Sequence, residues 1–284
     1  MSTQLIDDIL ARVSTLPPLP DTIHRLVTVV GDPSSSLAQI VDTIRYDQVL
    51  TSEVLRLCNS AYFGLSRTVE CLDDAVRLLG TVKVLQLVIA AHARAILSQP
   101  QAGYGLPAGA LWLHSVGVAS GAQLLARPMR LSQPGLLFTA GLLHDVGKVV
   151  LNEFVAKEYA EIARRVSQHR CSFAEAEQEV LGFTHPEIGG RLAEAWNLPA
   201  TIVGCIRYHH DPETTPTPMP LVDAIHLADS VCILLGVGAG DDGLSYRVRP
   251  SILERYGLSQ ADLEIIGADV IAEVKSVQAL LAGK

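Results

Sequence analysis

The sequence predicts an all-α fold. Apolar residues recur three and four positions apart along most of the chain, as in Val82, Leu85 and Ile89, and this spacing puts them on one face of a helix. Two-residue alternation, the pattern of a half-buried strand, is hard to find. With 284 residues, 49% of them hydrophobic and 18% charged, the chain is long and apolar enough to form a buried core. A disordered chain is therefore excluded.

Breaks rich in proline and glycine divide the chain into helices of ordinary length. They fall at 16–20, 31–33, 98–107, 127–128 and in the Pro- and Thr-rich run 211–220. Ser36, Asp47 and Ser259 each precede a run with helical periodicity. Their side chains can accept hydrogen bonds from the first free amides of a helix, so we predict helix starts at these positions.

The connection 98–107 is the best candidate for a boundary between two parts of the chain. Only two of the nine histidines precede it, and the other seven follow it. This predicts an N-terminal helical lobe over residues 1–107, a core that carries the chemistry over 108–240, and a C-terminal helical extension over 241–284. The last predicted helix, 261–281, has an apolar face through Leu263, Ile266 and Val270, which we expect to pack on the protein's own core or on a second copy.

Composition narrows the classes of partner. Proteins that bind the phosphate backbone of nucleic acids usually carry an excess of basic residues. This chain has a net charge of −8, so no nucleic-acid partner is expected. Five cysteines without any CxxC pair fit neither a disulfide framework nor a thiolate zinc site, and they favour a reducing cytoplasm. The acidic N-terminus is unlike a signal peptide. The charge-free stretch 95–126 is interrupted by prolines and glycines, so we predict a loop and a buried helix there rather than a membrane span.

The motif GLLHDVGK places an imidazole and a carboxylate side by side, at His144 and Asp145, within an apolar segment. Burying two ionisable groups is costly unless something pairs with them, and a divalent metal ion is an efficient partner. The motif superficially resembles a phosphate-binding loop. However, five residues rather than four separate Gly141 from Gly147, and Val149 stands where that loop has Ser or Thr. We reject the nucleotide-loop interpretation.

Further candidate ligands lie elsewhere in the chain. They are His114 in LWLHSVGV, His185 in THPEIG, His209 and His210 in YHH, and Asp229 in HLADS. Together with the His-Asp pair they supply five imidazoles and two carboxylates. This is more than one tetrahedral ion needs, but it suits two six-coordinate ions that share a carboxylate and keep open water positions. The inventory predicts a dinuclear metal site.

Each of these further candidates also has a structural alternative. A single histidine on an apolar helix, such as His114 or His185, is more often a core residue than a ligand. Asp229 is three residues after His226, so the two are also consistent with an ordinary polar stripe on a helix. The paired histidines of YHH are also consistent with a helix C-terminus, where the helix dipole favours histidine. Only the His-Asp pair of GLLHDVGK favours a metal site without support from the others.

Taken in order, five segments resemble the metal-ligand segments of the HD superfamily of phosphohydrolases, and in particular the HD-GYP cyclic-dinucleotide phosphodiesterases. These segments are HSVGVASGAQLLA, LLHDVGK, HPEIGGRLAEAW, YHH and HLADS. The N-terminal half narrows the resemblance, because LPPLP, NSAYFGLSR and AVRLLG are similar to the HDOD domain of bacterial signal-transduction proteins. The resemblance covers roughly residues 8–235.

The resemblance implies a multi-helix N-terminal lobe packed on an HD-like five-helix core with two divalent ions. One ion would be held by His114, His144, Asp145 and Asp229, and the other by Asp145, His185, His209 and His210. Asp145 would bridge the ions, and Lys148 matches a residue that contacts substrate phosphate, so these two are the catalytic candidates. Ligands of this type favour iron or manganese, with zinc, nickel or magnesium as alternatives.

Two functions from different classes remain open. His210 is followed by DPETTPTPMP, so the Gly-Tyr-Pro motif of the phosphodiesterases is absent. The first function is a signalling and interaction module with a protein partner, in which the metal site is a structural or regulatory clamp. The second is a metal-dependent phosphohydrolase acting on a nucleotide, a cyclic dinucleotide or another phosphate-containing small molecule. Neither requires a nucleic acid or a membrane, and a second copy of the chain is a further candidate partner.

Overall fold

The computed structural model describes residues 9, 11, 27, 44, 48–59, 68–169, 171–238, 240 and 248–281. Within these ranges the chain forms helices and no strand, which confirms the predicted all-α fold. The helix starts predicted at Ser36 and Asp47 lie outside the described residues. Ser259 does precede a helix, where its hydroxyl accepts from the amide of Asp262 at 3.3 Å and the Asp262 carboxylate accepts in return from the Ser259 amide at 2.8 Å.

Twelve α-helices lie in the described part of the chain. They are α1 (Gln48–Cys58), α2 (Leu72–Leu79), α3 (Thr81–Leu97), α4 (Ala110–Ala126), α5 (Pro134–Leu143), α6 (Val146–His169), α7 (Phe173–Leu181), α8 (His185–Ala195), α9 (Ala200–Tyr208), α10 (Pro220–Leu234), α11 (Pro250–Tyr256) and α12 (Gln260–Leu281). Short 3-10 turns form at Ala102–Tyr104, between α3 and α4, and at Pro212–Thr214, between α9 and α10.

Helix α4 is the central helix of the core. It packs against α5, α10 and α12, and most of its residues are buried on all sides. Close approach depends on small residues, since a Cβ on Gly121 would lie 3.2 Å from the Cβ of Ala228 on α10 and 3.2 Å from Val270 on α12. Val270 and Val274 of α12 are buried in this cluster, so the apolar face of the last helix packs on the protein's own core.

The N-terminal helices join the same core through α3. Helices α1 and α2 pack on α3, and α3 in turn packs on α4, α5 and α6. One cluster of buried apolar side chains continues from Leu97 through Leu106 to Leu111, across the connection between α3 and α4. The division at residues 107 and 240 remains a prediction.

The segment predicted as a loop followed by a buried helix has that structure, with α4 buried after the turn at Ala102–Tyr104. In the described part of the chain, one stretch, 134–169, is long and apolar enough to cross a membrane by length and composition, but 83% of its apolar window is buried. Such burial is consistent with a core helix of a soluble protein. All five cysteines are free, and the cytoplasmic location remains a prediction.

Asn59, the first residue of NSAYFGLSR, ties the end of α1 to the segment that leads into α2. Its Nδ2 donates to the carbonyl oxygens of Leu55 at 2.9 Å and of Val69 at 2.8 Å. Its Oδ1 accepts from the amide of Val69 at 2.6 Å. One side chain therefore satisfies both backbone groups of Val69, and it adds a second donor to the Leu55 carbonyl, which also accepts from the Asn59 amide.

Replacing this side chain in Asn59→Ala is expected to lower the free energy of unfolding by about 1–3 kcal/mol, because the backbone groups of Val69 lose their partner. Chemical denaturation measures the loss, and hydrogen exchange measures faster exchange of the Val69 amide. Asn59→Asp keeps the oxygen that accepts from this amide, so its exchange should rise less. Unchanged stability together with unchanged exchange in Asn59→Ala would show that the side chain does not hold this junction.

Candidate metal centre

The structure brings all seven predicted ligands into one cluster. His114 lies in the second turn of α4, and His144 and Asp145 form the turn that joins α5 to α6. His185 is the first residue of α8, His209 and His210 follow α9, and Asp229 lies in the second half of α10. Their potential ligand atoms form two groups, and within each group these atoms lie within 4.8 Å of one another. One group is His114, His144 and Asp229, and the other is Asp145, His185, His209 and His210.

Asp145 lies between the two groups and presents one oxygen to each. Its Oδ2 is 3.3 Å from Nε2 of His144 and 3.6 Å from Nε2 of His114. Its Oδ1 is 3.4 Å from Nε2 of His185 and 3.6 Å from Nε2 of His209. A carboxylate with this placement suits the bridging role that the sequence resemblance implies.

Asp229 also reaches both sides of the cluster. Its Oδ1 is 3.0 Å from Nε2 of His114 and 3.8 Å from Nε2 of His144. Its Oδ2 is 3.5 Å from Nδ1 of His210. Each of the two carboxylates thus lies among several imidazoles. A cation bound here would lower the electrostatic repulsion between the two carboxylates.

The ring orientation of three histidines is set by backbone carbonyl groups. In each case Nδ1–H of the ring donates to a carbonyl oxygen. His114 donates to Val237 at 3.0 Å, His144 to Gly141 at 2.7 Å, and His209 to Ile206 at 2.8 Å. With Nδ1 bound to a backbone carbonyl, Nε2 of each ring points into the cluster. Metal-ligating histidines are fixed in this way, because the outer hydrogen bond determines the tautomer.

Three buried atoms at the centre of the cluster have no hydrogen-bond partner among the residues that the structure describes. They are Nε2 of His144, Nε2 of His209 and Oδ1 of Asp145. A buried polar atom without a partner costs about 1–3 kcal/mol, so three together need an explanation. Lone pairs of neutral imidazoles and a carboxylate are ligands for divalent first-row metals. The residues therefore fit the divalent ions that the sequence predicts.

Burial and mutual charge set the protonation of the cluster. Burial lowers the pKa of His209 to about 4 and holds the pKa of His210 well below its usual range, so both imidazoles are neutral at pH 7. Burial opposes the charged form of His144, but Asp145 and Asp229 outweigh it and raise the pKa of His144 to about 10. His144 is therefore protonated in the metal-free protein, and a metal ion that it binds must displace the proton from Nε2. Burial alone would raise the carboxyl pKa values. The charges of His144 and Lys148 nevertheless hold the pKa of Asp145 well below its usual range, and hydrogen bonds with His114 and His144 do the same for Asp229.

The glycines of GLLHDVGK serve helix packing. A Cβ on Gly141 would lie 2.7 Å from Cα of Ala119 on α4, and a Cβ on Gly147 would lie 1.9 Å from the carbonyl oxygen of His185 on α8. Both glycines therefore let another helix cross the His-Asp turn at close range. This explains why the motif resembles a phosphate loop without being one.

Lys148, predicted to contact phosphate, lies beside the carboxylate of Asp145. Its Nζ donates to Oδ2 of Asp145 at 2.6 Å, and the side chain is buried. The ammonium thus compensates part of the negative charge of the cluster. Contact with a phosphate group remains a prediction.

The sequence analysis missed Glu177 and the role of His226. Glu177 is fully buried, and its Oε2 accepts from Nδ1 of His185 at 2.8 Å and from the amide of the same residue at 2.9 Å. Nδ1–H of His226 donates to the carbonyl of His209 at 2.8 Å. In the sequence, Glu177 is one of three glutamates in a short helical run, and no spacing distinguishes it from an exposed acid.

Glu177→Gln is expected to weaken metal binding in the group that contains His185. A carboxylate that orients a metal-ligating histidine contributes about 10- to 100-fold in affinity. Stepwise titration of the metal-free protein with metal should show that one dissociation constant is raised and the other is unchanged. The neighbouring exposed Glu179→Gln is the matched control, and equal affinities in both variants would exclude an orienting role for Glu177.

Access to the cluster is narrow. Six of the seven ligand candidates are no more than 3% exposed, and Lys148 is 4% exposed. His210 is the most accessible, with 10% of its side chain exposed. The apolar cavity lined by Ile89, Leu143 and Trp196, among others, lies behind the His-Asp turn, and no ligand candidate lines it.

Comparison with known proteins agrees with this architecture. The model of the HDOD domain matches residues 16–212. The structure superimposes on an HDOD domain protein of unknown function from Geobacter sulfurreducens with a TM-score of 0.76 and 30% identity, covering 98% of this chain and 96% of that chain. A candidate phosphohydrolase from Shewanella amazonensis gives a TM-score of 0.71 and 26% identity, covering 96% of this chain and 98% of that one.

Two curated relatives are longer than this chain. An uncharacterized protein of Treponema pallidum is 26% identical over 234 residues, which are 80% of this chain and 44% of that protein. Ribonuclease Y of Aquifex aeolicus is 31% identical over 119 residues, 42% of this chain and 16% of that enzyme. The chain thus spans less than half the length of either relative.

Proposed function

Because the chain belongs to the HDOD domain family, we propose that it is a signal-transduction module whose helical core is clamped by two divalent ions and whose surface binds a signalling protein. The single observation that carries this proposal is the burial of six of the seven ligand candidates, all but His210. The seven come from five different parts of the helical core. Structural metal sites are closed, whereas catalytic sites keep an open position for water and substrate.

Each ion would be held by one of the two groups of ligand atoms that the structure brings together. His114, His144 and Asp229 face one position, His185, His209 and His210 face the other, and Asp145 offers one oxygen to each. Iron or manganese suits this imidazole and carboxylate set best, with zinc, nickel or magnesium as alternatives. We expect no nucleic-acid or membrane partner, and a second copy of the chain is an alternative to a different signalling protein.

A second candidate function is a metal-dependent phosphohydrolase. It is favoured by Lys148, whose ammonium lies 2.6 Å from the bridging carboxylate, and by the partial exposure of His210. Two divalent ions supply a more acidic water and positive charge beside a phosphoryl group. Lys148 would orient the phosphate, and its release from Asp145 would be required first. The similarity to ribonuclease Y, by its name a phosphodiester-cleaving enzyme, supports the same reaction class.

One preparation distinguishes the two functions. Protein loaded with both ions is assayed on nucleotides, cyclic dinucleotides and a generic phosphodiester, and its thermal unfolding is followed in parallel. The clamp predicts background hydrolysis together with a stability gain of about 2.7 kcal/mol when free metal exceeds its Kd about 100-fold. Turnover that Asp145→Asn removes, with helicity retained, would overturn the clamp and establish the hydrolase.

A further inference from the structure

The 3-10 turn Ala102–Tyr104, within the connection between α3 and α4, is docked onto α6. The amide of Gly103 donates to Oδ1 of Asn152 at 2.9 Å. A Cβ on Gly103 would lie 2.5 Å from the carbonyl oxygen of Asn152 and 2.8 Å from the amide nitrogen of Ala156. Both are backbone atoms, so only glycine permits this approach. The docking directs Tyr104 into the interior, where it is fully buried.

Tyr104 lies against the residues that surround one half of the metal cluster. Its hydroxyl donates to Oε1 of Glu177 at 2.6 Å. Its ring meets the ring of His185 edge-on, with centroids 6.0 Å apart. Nζ of Lys148 lies 5.7 Å from the centroid of the tyrosine ring, within the range of a cation–π contact.

Glu177 connects Tyr104 to the cluster because its two oxygens have different partners. Oε1 accepts from Tyr104, while Oε2 accepts from the ring and the backbone amide of His185. A carboxylate held at both oxygens has a fixed plane, and that plane fixes the ring of His185. The hydroxyl of Tyr104 therefore controls a ligand candidate that it does not bind directly.

We propose that Tyr104 is a positioning residue for the metal position of His185, His209 and His210, and that through it the connection between α3 and α4 sets the affinity of this half of the cluster. This inference rests on the proposed metal clamp. It assigns a function to the segment 98–107, which the sequence indicates only as a boundary. A partner that binds the N-terminal helices and shifts this connection would thereby alter one metal position and leave the other unchanged.

The test is Tyr104→Phe in the full chain, titrated stepwise with manganese after removal of bound metal. Loss of the hydroxyl should raise the dissociation constant of one ion by about tenfold or more and leave the other unchanged. The same titration in a His114→Ala background, which disables the other half, should show the full effect on the remaining ion. The metal-free variant should lose some stability in chemical denaturation, because Oε1 of Glu177 loses its donor. Its helicity should be unchanged, since the phenyl ring keeps its contact with Phe173.

Tyr256→Phe is the matched control. The hydroxyl of Tyr256 also donates to a buried carboxylate, Oδ2 of Asp223, at 2.8 Å, but Asp223 belongs to neither metal group. This variant should keep both dissociation constants. The double variant Tyr104→Phe/Glu177→Gln should bind no more weakly than Glu177→Gln alone, because both changes act on one hydrogen-bond chain.

The outcomes separate this inference from the clamp itself. If the wild-type chain binds no metal, the clamp is wrong. If it binds two ions and Tyr104→Phe keeps both affinities, the positioning role alone is wrong. Equal weakening of both ions with loss of helicity would also overturn it, since the tyrosine would then serve only the packing of the core.

Discussion

Asp145→Asn is expected to remove both ions of the proposed clamp from the protein while the fold is kept. The amide has the size of the carboxylate but lacks its charge, and it cannot offer an anionic oxygen to each of the two groups of imidazoles. Removing a hydrogen-bond partner of a metal ligand lowers metal affinity by about 10- to 100-fold. Losing a ligand that both ions share should lower the affinity at each position by more than this. The metal content measured by elemental analysis should therefore fall from about two ions per chain towards none.

Asp223→Asn is the matched control for this variant. Asp223 is also a buried carboxylate, but it accepts from Arg255 and Tyr256 rather than from the metal groups. It should retain both ions, with a loss of stability from the weakened docking of α11. Circular dichroism checks helicity in both variants. Retention of one ion in Asp145→Asn would show that the two positions do not share this carboxylate.

Gly147→Ala is expected to have the largest effect on stability. The added methyl group would lie 1.9 Å from the carbonyl oxygen of His185 and 2.7 Å from the amide nitrogen of Gly189. Neither atom can rotate away, so α6 and α8 must separate at their crossing. Overpacking typically costs about 1–3 kcal/mol, and backbone clashes belong at or above the upper end of this range. The position of His185 should shift with α8, which weakens the ion of that half.

Gly267→Ala makes the same chemical change elsewhere in the interior of a helix. Its nearest neighbour would be Cδ1 of Leu235 at 3.0 Å, at the end of a flexible and partly exposed side chain. Alanine favours a helix over glycine by about 1 kcal/mol, so this variant should be neutral or slightly stabilising. Chemical denaturation compares the two. Equal stability of Gly147→Ala and wild type would contradict the close crossing of α6 and α8.

The sequence predicted the helical class and the cluster of ligand candidates because both depend on local patterns. Periodicity identifies α3 and α12, and the His-Asp pair of GLLHDVGK has few reasons to be buried without a shared partner. The grouping of donors around Asp145 followed from a family resemblance, and the distances of the structure agree with it.

The residues that orient the ligand candidates could not be predicted, because they depend on which faces of the helices pack against each other. Glu177 comes from α7 and Tyr104 from a connection that its Pro, Gly and Gln content indicates only as a boundary. His226 fits a polar stripe, yet it is buried and donates to the backbone of His209. Gly147 is explained only by the crossing of α8, which no pattern within α6 reveals.

The most direct test of the two-ion clamp is the anomalous diffraction of crystals of the wild-type protein loaded with manganese. The clamp predicts two peaks about 3.5–4 Å apart, one near His114, His144 and Asp229, the other near His185, His209 and His210, with Asp145 in contact with both. A single peak, or none in a fully loaded preparation, would contradict it.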